Sequence, residues 1–585
     1  MSAVRLLLSR LGGMERAVVR ALPSEPKLSI SLELAGSLRH LQREQSEPLG
    51  RALARIAASA TRAPSKKIRR QQQPDPPPCV RLTYRGLAVS DEALNGEAWR
   101  DGAVLEVGEA RYLVQRNPPS CLQLELPSRL LAGFPLCPAV RLEFARPELC
   151  RFVWYREVLG MPGVEEPGQP QAPADPYEDQ APVEAGDCPE PPAGAGWEEA
   201  GRGQLFTPSA SDVGLRLKLR CTPGDGQRFG PSRELEAGSP VEAGPGSCTF
   251  ERRHTFTQHE TRDPVLRTAS YNVLADVYAQ SPTGRTVLFA YCPAHALERD
   301  YRQSLLRREL AGYRADVICL QEVDGSVYQE SLGPALAAGG MDGVYRGKER
   351  QREGLATFFR RSRFSLVGQH DIRLSQALLE DPLHAELLAK LQPYPDARDS
   401  VVQRSTALQV SVLQSRSDPS QKICVANTHL YFHPKGGNIR LVQIAVALAH
   451  IRRVAYELYP GIPIIFCGDF NSTPTMGMYS FVKNGTIDES HEDWTSNGEE
   501  ERCNMSLSHP LKLESACGEP EYTNYVVGFN GCLDYIFIDA QRVEVERVIP
   551  LPTHEEVTRH RALPSVSHPS DHLALVCDLR LKQIP

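Results

Sequence analysis

The stretch Ile462-Pro463-Ile464-Ile465-Phe466-Cys467-Gly468-Asp469-Phe470-Asn471-Ser472-Thr473-Pro474 decides the reading of the chain. A nearly all-apolar run with β-branched residues stops at Gly-Asp-Phe-Asn and a Ser-Thr-Pro turn. That is the pattern of a buried strand ending in polar side chains. Residues i and i+2 of a strand share a face, so Asp469 and Asn471 are expected to point together. The device recurs at Ser270-Tyr271-Asn272, Leu320-Gln321-Glu322-Val323-Asp324, Ala426-Asn427-Thr428-His429-Leu430, Leu533-Asp534-Tyr535 and Pro569-Ser570-Asp571-His572. Any one of these reads as well as a turn former, a cap, an ion-pair partner or a core histidine. Together they bring carboxylates, amides and two histidines to strand ends, and such a set is costly to bury for structure alone.

The residue types point to a hard cation. Carboxylate and amide oxygens without a His/Cys spacing suit Mg²⁺, or Mn²⁺, rather than zinc. A site of this kind predicts metal-assisted phosphoester chemistry, with a base to activate water and positive groups for the charge on phosphate.

Outward from that stretch, residues 260–585 alternate buried strand and helix candidates. Leu297 to Tyr313 and Gly437 to Tyr459 carry the helical period, the latter stopped by Pro460-Gly461. The expected architecture is an α/β (α+β) four-layer sandwich, two face-to-face β-sheets flanked by helices. Gln369 to Ser405 is expected to be a helical insertion near the cleft mouth.

Upstream, residues 79–250 show short strands between turn residues, an all-β module, with a disordered insert at about 161–203 rich in Pro, Gly and acids. Trp154-Tyr155 and the run from Phe206 to Gly214 resemble the frame of immunoglobulin-like modules. Residues 23–78 read as poorly structured, with one short strand candidate at Leu28 to Leu34 and a helix-like Leu49 to Ala58, closing in a basic linker. Residues 1–22 hold Arg5, Arg10, Arg16 and Arg20 with Glu15 the one acid, the composition of a mitochondrial transit peptide.

Whole-chain properties narrow the function. At 585 residues two or three domains are expected, and 41% hydrophobic content supports real cores. A net charge of −6 offers no global pull on nucleic acid, so local cations and a metal would have to hold it. No apolar run is long enough for a membrane span. The 15 cysteines are scattered without a C-x-x-C pair, which disfavours a disulfide scaffold or zinc site and favours a reducing compartment.

The ordered set of S-Y-N-x-L, L-Q-E-V, N-T-H-L, G-D-F-N-S-T-P, L-D-Y-I-F and S-D-H resembles the endonuclease/exonuclease/phosphatase superfamily. "SYNVLAD", "CLQEVD", "ANTHLYFHP", "YTNYVVGFNGCLDYIFI" and "HPSDHLAL" resemble its CCR4-type deadenylase branch. The likeness runs from Arg267 to the C-terminus. It implies Glu322 as principal Mg²⁺ ligand, with Asn272 and Asp571 completing the metal and phosphate environment. Asp469 would deprotonate water or bind a second metal, and Asn471 would bond phosphate and hold Asp469. His429 and His572 would stabilise charge on phosphate oxygens, with Asp534 holding the ring of His572. Phe529 stands at the adenine-stacking position. Lys435 and Arg440, opening the long helix, are candidates for a substrate phosphate.

The function so implied is Mg-dependent hydrolysis of 2′,5′-linked oligoadenylate and of 3′ poly(A) tails on mitochondrial RNA, releasing AMP in the matrix. No membrane and no obligatory protein partner is expected. The alternatives are the same fold acting on another phosphoester, such as inositol phosphate or abasic DNA, and a non-catalytic RNA-binding protein.

Overall fold

The computed structural model describes residues 15–34, 36–60, 78–158, 196–349 and 351–582. Two compact units emerge. One comprises Met1–Leu126, Ala139–Gln204 and Leu217–Glu236, and the other Pro127–Pro138, Leu205–Arg216 and Ala237–Pro585.

The first unit contains β1 (Glu15–Arg20), β2 (Lys27–Leu34), β3 (Ser37–Glu44), β4 (Val80–Tyr84), β5 (Leu87–Ala88), β6 (Val104–Val107) and β7 (Ala110–Arg116). They form one sheet of order β3-β2-β1-β7-β6-β4-β5. A two-stranded pair, β8 (Ser120–Glu125) and β9 (Ala139–Glu143), follows. A four-stranded sheet of order β11-β10-β12-β13 is built from β10 (Arg151–Val158), β11 (Gly196–Arg202), β12 (Leu217–Thr222) and β13 (Arg233–Glu236). Trp154 is fully buried there, its indole N–H donating to Gly203 O at 2.9 Å.

Three boundaries read from sequence shift. Residues 15–22, read as the end of a leader, include a central strand whose Ala17 and Val19 are buried. Within residues 23–78 the strand and helix candidates form as β2 and the helix Leu49–Ala60, but the stretch between them is β3 rather than unstructured, and together they fill that core with Leu28, Ile30, Leu32 and Ile56. The 161–203 insert closes in β11. Residues 1–14, 61–77 and 161–195 lie outside the described residues.

The second unit is the four-layer sandwich. Its strands are β14 (Val265–Asn272), β15 (Val317–Asp324), β16 (Met341–Gly347), β17 (Glu353–Arg360), β18 (Phe364–Gln369), β19 (Ile372–Arg373), β20 (Ala407–Ser415), β21 (Lys422–His429) and β22 (Ile464–Asp469). They continue through β23 (Thr486–Ile487), β24 (Leu507–Ser508), β25 (Leu513–Ser515), β26 (Asn524–Val526), β27 (Phe529–Gly531), β28 (Asp534–Asp539), β29 (Val543–Val548) and β30 (Leu575–Leu581). One sheet has the order β16-β17-β15-β14-β30-β29, the other β18-β20-β21-β22-β28-β25.

Alternation along these strands builds the layers. Leu266, Val317, Cys319 and Cys577 of one sheet meet Ile465, Cys467 and Ile536 of the other in the central core. The opposite faces take helices: Arg299–Tyr313 packs on Ala269, Tyr271 and Ile318, and Gly437–Arg452 packs on Val410, Ala426 and Phe466. Each Leu, Ile, Val or Phe side chain so removed from water contributes on the order of 1.5–3 kcal/mol. Leu131 and Phe134 complete the first helix layer, which is why residues 127–138 belong to this unit. The 369–405 insertion is helical, as expected. Leu374, Leu378, Leu391 and Val401 of its helices join the core around the Gly437–Arg452 helix. Every described cysteine is a free thiol.

Candidate active site

Register gathers the polar strand ends. Across β21, β22 and β28 the Cα partners are His429↔Asp469↔Asp534, a row of three along one sheet edge. Asp534 opens its antiparallel strand rather than closing it, so the same edge is reached from the other direction. In the facing sheet Asn272 ends β14 beside Gln321 of β15.

Glu322 reaches the site through a bulge. Leu320 pairs Ala356 and Val323 pairs Gly354, so two residues of β15 face one of β17, and Glu322 takes a left-handed φ of 56°. Strict alternation would have sent its carboxylate toward the helix layer, with Leu320. The extra residue aims it instead at Asn272 and the other sheet.

Asn272 is the link between the sheets. Its buried amide donates to Glu322 Oε1 at 3.0 Å and to Asp469 Oδ2 at 2.9 Å, while its Oδ1 accepts from Leu274 N at 3.0 Å. Ala275 N–H donates to Glu322 Oε2 at 3.0 Å. Both carboxylates are thus fixed by groups that only donate.

Asn471 departs from the expectation. It sits in the left-handed region, φ 49°, and its backbone N–H, not its side chain, holds Asp469 Oδ1 at 2.9 Å. Its side-chain amide donates to Leu430 O at 3.1 Å, tying the ends of β21 and β22. Asparagine tolerates this conformation better than other non-glycine residues.

The two histidines flank Asp469 in opposite electrostatic states. His572 Nδ1 lies 2.7 Å from Asp534 Oδ2, which also accepts from Thr523 Oγ1 at 2.6 Å. His572 Nε2 and His429 Nε2 are each 3.6 Å from Asp469 Oδ2. Burial alone would lower His572, but Asp534 and then Asp469 hold it well above the ordinary histidine value. Burial, with Lys348 and His572 nearby, holds His429 well below it. Burial also lifts Asp469 to about 6, with His572 pulling it down and Asp534 pushing it up. Glu322 rises to about 7 through burial and the like charges of Asp571 and Glu353.

These observations test the metal expectation. Asp469, Asp534 and His572 offer ligand atoms within 4.8 Å of one another, but Asp534 and His572 are already bonded together. The better fit is Glu322. Its donors are oxygen only, and the like charges that raise it are what a divalent cation neutralises. Asp571, held by Asn524 Nδ2 at 3.3 Å, adds a further oxygen.

The expected substrate groups divide. Phe529 is 46% exposed in the β26–β27 hairpin, whose Tyr525 N–H donates to Asp571 O at 3.0 Å. An exposed ring is thereby anchored to the site. Lys435 is exposed. Arg440 is not available: 1% exposed, it donates to Ser472 Oγ and to the carbonyls of Tyr431, His433 and Pro434. The helix start is closed too, with Asn438 N–H on Ser496 Oγ and Ile439 N–H on Asn438 Oδ1. Arg440 clamps the 431–434 loop instead of binding phosphate.

Sequence reading missed Thr523, Asn524, Lys348 and Glu353. Thr523 precedes the β26–β27 hairpin and Asn524 opens it in "YTNYV", where a turn is the ordinary reading. Glu353 opens an apolar strand and Lys348 stands in a polar loop, with no periodic signal.

A four-layer sandwich with one carboxylate-rich, two-histidine edge defines a class, and the chain belongs to the endonuclease/exonuclease/phosphatase family of hydrolases, whose model matches residues 269–572. Residues 118–242 match the model for 2′,5′-phosphodiesterase 12-like N-terminal domains. The chain is 58% identical to human 2′,5′-phosphodiesterase 12 and 59% identical to the bovine protein, over 98% of this chain and 95% of each relative. It is 31% identical to the 3′-5′-exoribonuclease subunit Ccr4 of the CCR4-Not complex of Schizosaccharomyces pombe, over 54% of this chain and 49% of that one. Among solved structures, ANGEL2, a 2′,3′-cyclic phosphatase, aligns with 27% identity and a TM-score of 0.45, covering 55% of this chain and 96% of that one. No helix among the described residues is long and apolar enough to cross a membrane.

Proposed function

We propose that the chain is a Mg²⁺-assisted phosphodiesterase that shortens 2′,5′-linked oligoadenylate and 3′,5′-linked poly(A) on RNA, releasing AMP. The observation that carries this reading is the Asn272 bridge, which joins Glu322 of one sheet to Asp469 of the other in a single site. The names of the relatives support the substrate class.

Glu322, with Asp571 beside it, would hold the cation, Mn²⁺ serving as well as Mg²⁺. When bound, the ion supplies Lewis-acid polarisation of the phosphate and neutralises charge. The remaining work falls to side chains. Asp469, pinned at Oδ1 by Asn471 N–H and at Oδ2 by Asn272, takes the proton of the attacking water at a carboxylate whose basicity is raised to about 6. His572, protonated on Nδ1 toward Asp534, donates from Nε2 to a phosphate oxygen as negative charge grows. Phe529 offers its exposed face to an adenine, and such stacking contributes about 1–3 kcal/mol per base.

Arg5 and Arg10, which precede β1 with no acid among residues 1–14, support a mitochondrial address for this activity. The test of function is direct. Glu322→Gln and Asp469→Asn abolish AMP release from oligoadenylate while circular dichroism and gel filtration stay those of wild type. Turnover at wild-type rate in either purified variant removes the mechanism.

A further inference from the structure

Lys348 follows β16, and its side chain is only 8% exposed, an uncommon place for an ammonium. Nζ donates to Glu353 Oε1 at 2.6 Å, and Lys348 N–H donates to Glu353 O at 3.1 Å, so the pair closes the β16–β17 hairpin. Hairpin closure does not require burial. Nor does it account for a second contact, Nζ to His429 Nδ1 at 3.4 Å.

That contact has one chemical sense. An ammonium carries donors only, so Nδ1 of His429 must accept and the ring proton must sit on Nε2. Nε2 faces Asp469 Oδ2. His572 is the mirror case: its Nδ1–H donates to Asp534, and its Nε2 faces the same oxygen. One ring is set by a carboxylate, the other by an ammonium.

We propose that Lys348 is a positioning residue that, anchored by Glu353, fixes His429 in the Nε2–H tautomer and so turns a donor toward the reacting phosphate. Without Lys348 the ring is free to carry its proton on Nδ1, and a lone pair then meets Asp469 and the phosphate oxygens. Glu353 Oε2 is buried with no hydrogen-bond partner within bonding distance among the described residues, so Oε1 on Lys348 is the bond that holds this carboxylate. The inference rests on the hydrolase reading for its kinetic consequence, but not for the tautomer itself.

The experiment joins two readouts. Lys348→Met alone strands Glu353 as a buried charge, so K348M/E353Q, which removes both charges, is made beside it. In K348M/E353Q, kcat on oligoadenylate falls about 10–100-fold while KM stays within about three-fold, the scale typical of lost orienting partners. Spectra of ¹⁵N-histidine-labelled protein without substrate, assigned with His429→Gln, place the proton of His429 on Nε2 in wild type and on both nitrogens in the double variant. An Nδ1 proton in wild type, an unchanged kcat with only a lowered Tm, or a loss carried wholly by KM overturns the proposal. Absence of wild-type turnover on every oligoadenylate overturns the hydrolase reading instead and leaves the tautomer spectrum standing as a separate result.

Discussion

Replacing Asn272 by alanine deletes the one side chain among the described residues that bonds both Glu322 and Asp469, the two carboxylates of the proposed mechanism. The amide makes two charge-assisted bonds, 3.0 Å to Glu322 and 2.9 Å to Asp469. Bonds of this type contribute about 1.5–3 kcal/mol each, so the pair sets an upper bound of about 6 kcal/mol. Laid end to end the two bonds keep the carboxylate oxygens no more than about 6 Å apart, where like charges repel by about 3 kcal/mol at an effective dielectric of 20. Water reaching the half-buried Glu322 offsets part of this, leaving an expected loss of about 2–4 kcal/mol in Asn272→Ala. Because the amide also holds both carboxylates down in pKa, its removal moves the acid limb of the rate profile to higher pH. Denaturant unfolding monitored by near-UV circular dichroism and kcat/KM against pH measure the two effects, the second falling about 100-fold or more at neutral pH. A stability change under about 0.5 kcal/mol with an unshifted limb refutes the bridge.

The remaining expectations are narrower. With Asp469 near 6, kcat/KM falls as pH drops below about 6, and protons competing with the cation for Glu322, near 7 in its absence, steepen the fall until Mg²⁺ is raised. Stability has the opposite sign. The folded state holds those protons more tightly than the unfolded chain, so in chelator their contribution declines from about pH 4 to about pH 7, and E322Q/D469N loses that slope. Arg440→Met destabilises the catalytic unit by about 2–4 kcal/mol, read from unfolding curves, with KM unchanged in the protein that remains folded. Phe529→Ala raises KM for oligoadenylate about 5–150-fold in steady-state assays, with kcat little altered and the unfolding curve unmoved.

The strand ends were legible because apolar runs with abrupt polar stops are a local signal. Asn272, Glu322, His429, Asp469, Asp534 and Asp571-His572 all converge. What alternation cannot convey is where a side chain aims once the ladder is broken. Glu322 turns on a one-residue bulge and Asn471 on a left-handed residue, and neither is encoded by period. Arg440 was misread because a cation at a helix start looks free in sequence, whereas here the preceding loop folds its carbonyls onto the guanidinium. The N-terminal strands were underestimated for a related reason. The outer strand β3, Ser37–Glu44, is largely polar, and only its partner β2 reveals the sheet through Leu28, Ile30 and Leu32. Lys348 and Glu353 come to His429 through tertiary contact alone.

The central claim is one metal-assisted, adenylate-selective phosphodiesterase site. Product analysis on matched 2′,5′- and 3′,5′-oligoadenylates, with oligouridylate as the base control, tests it in Mg²⁺ and again in chelator. Stepwise AMP release from the oligoadenylates, slow or no release from oligouridylate, and loss of all turnover in chelator is the predicted result. Equal rates on oligouridylate, or undiminished cleavage in chelator, contradicts the account.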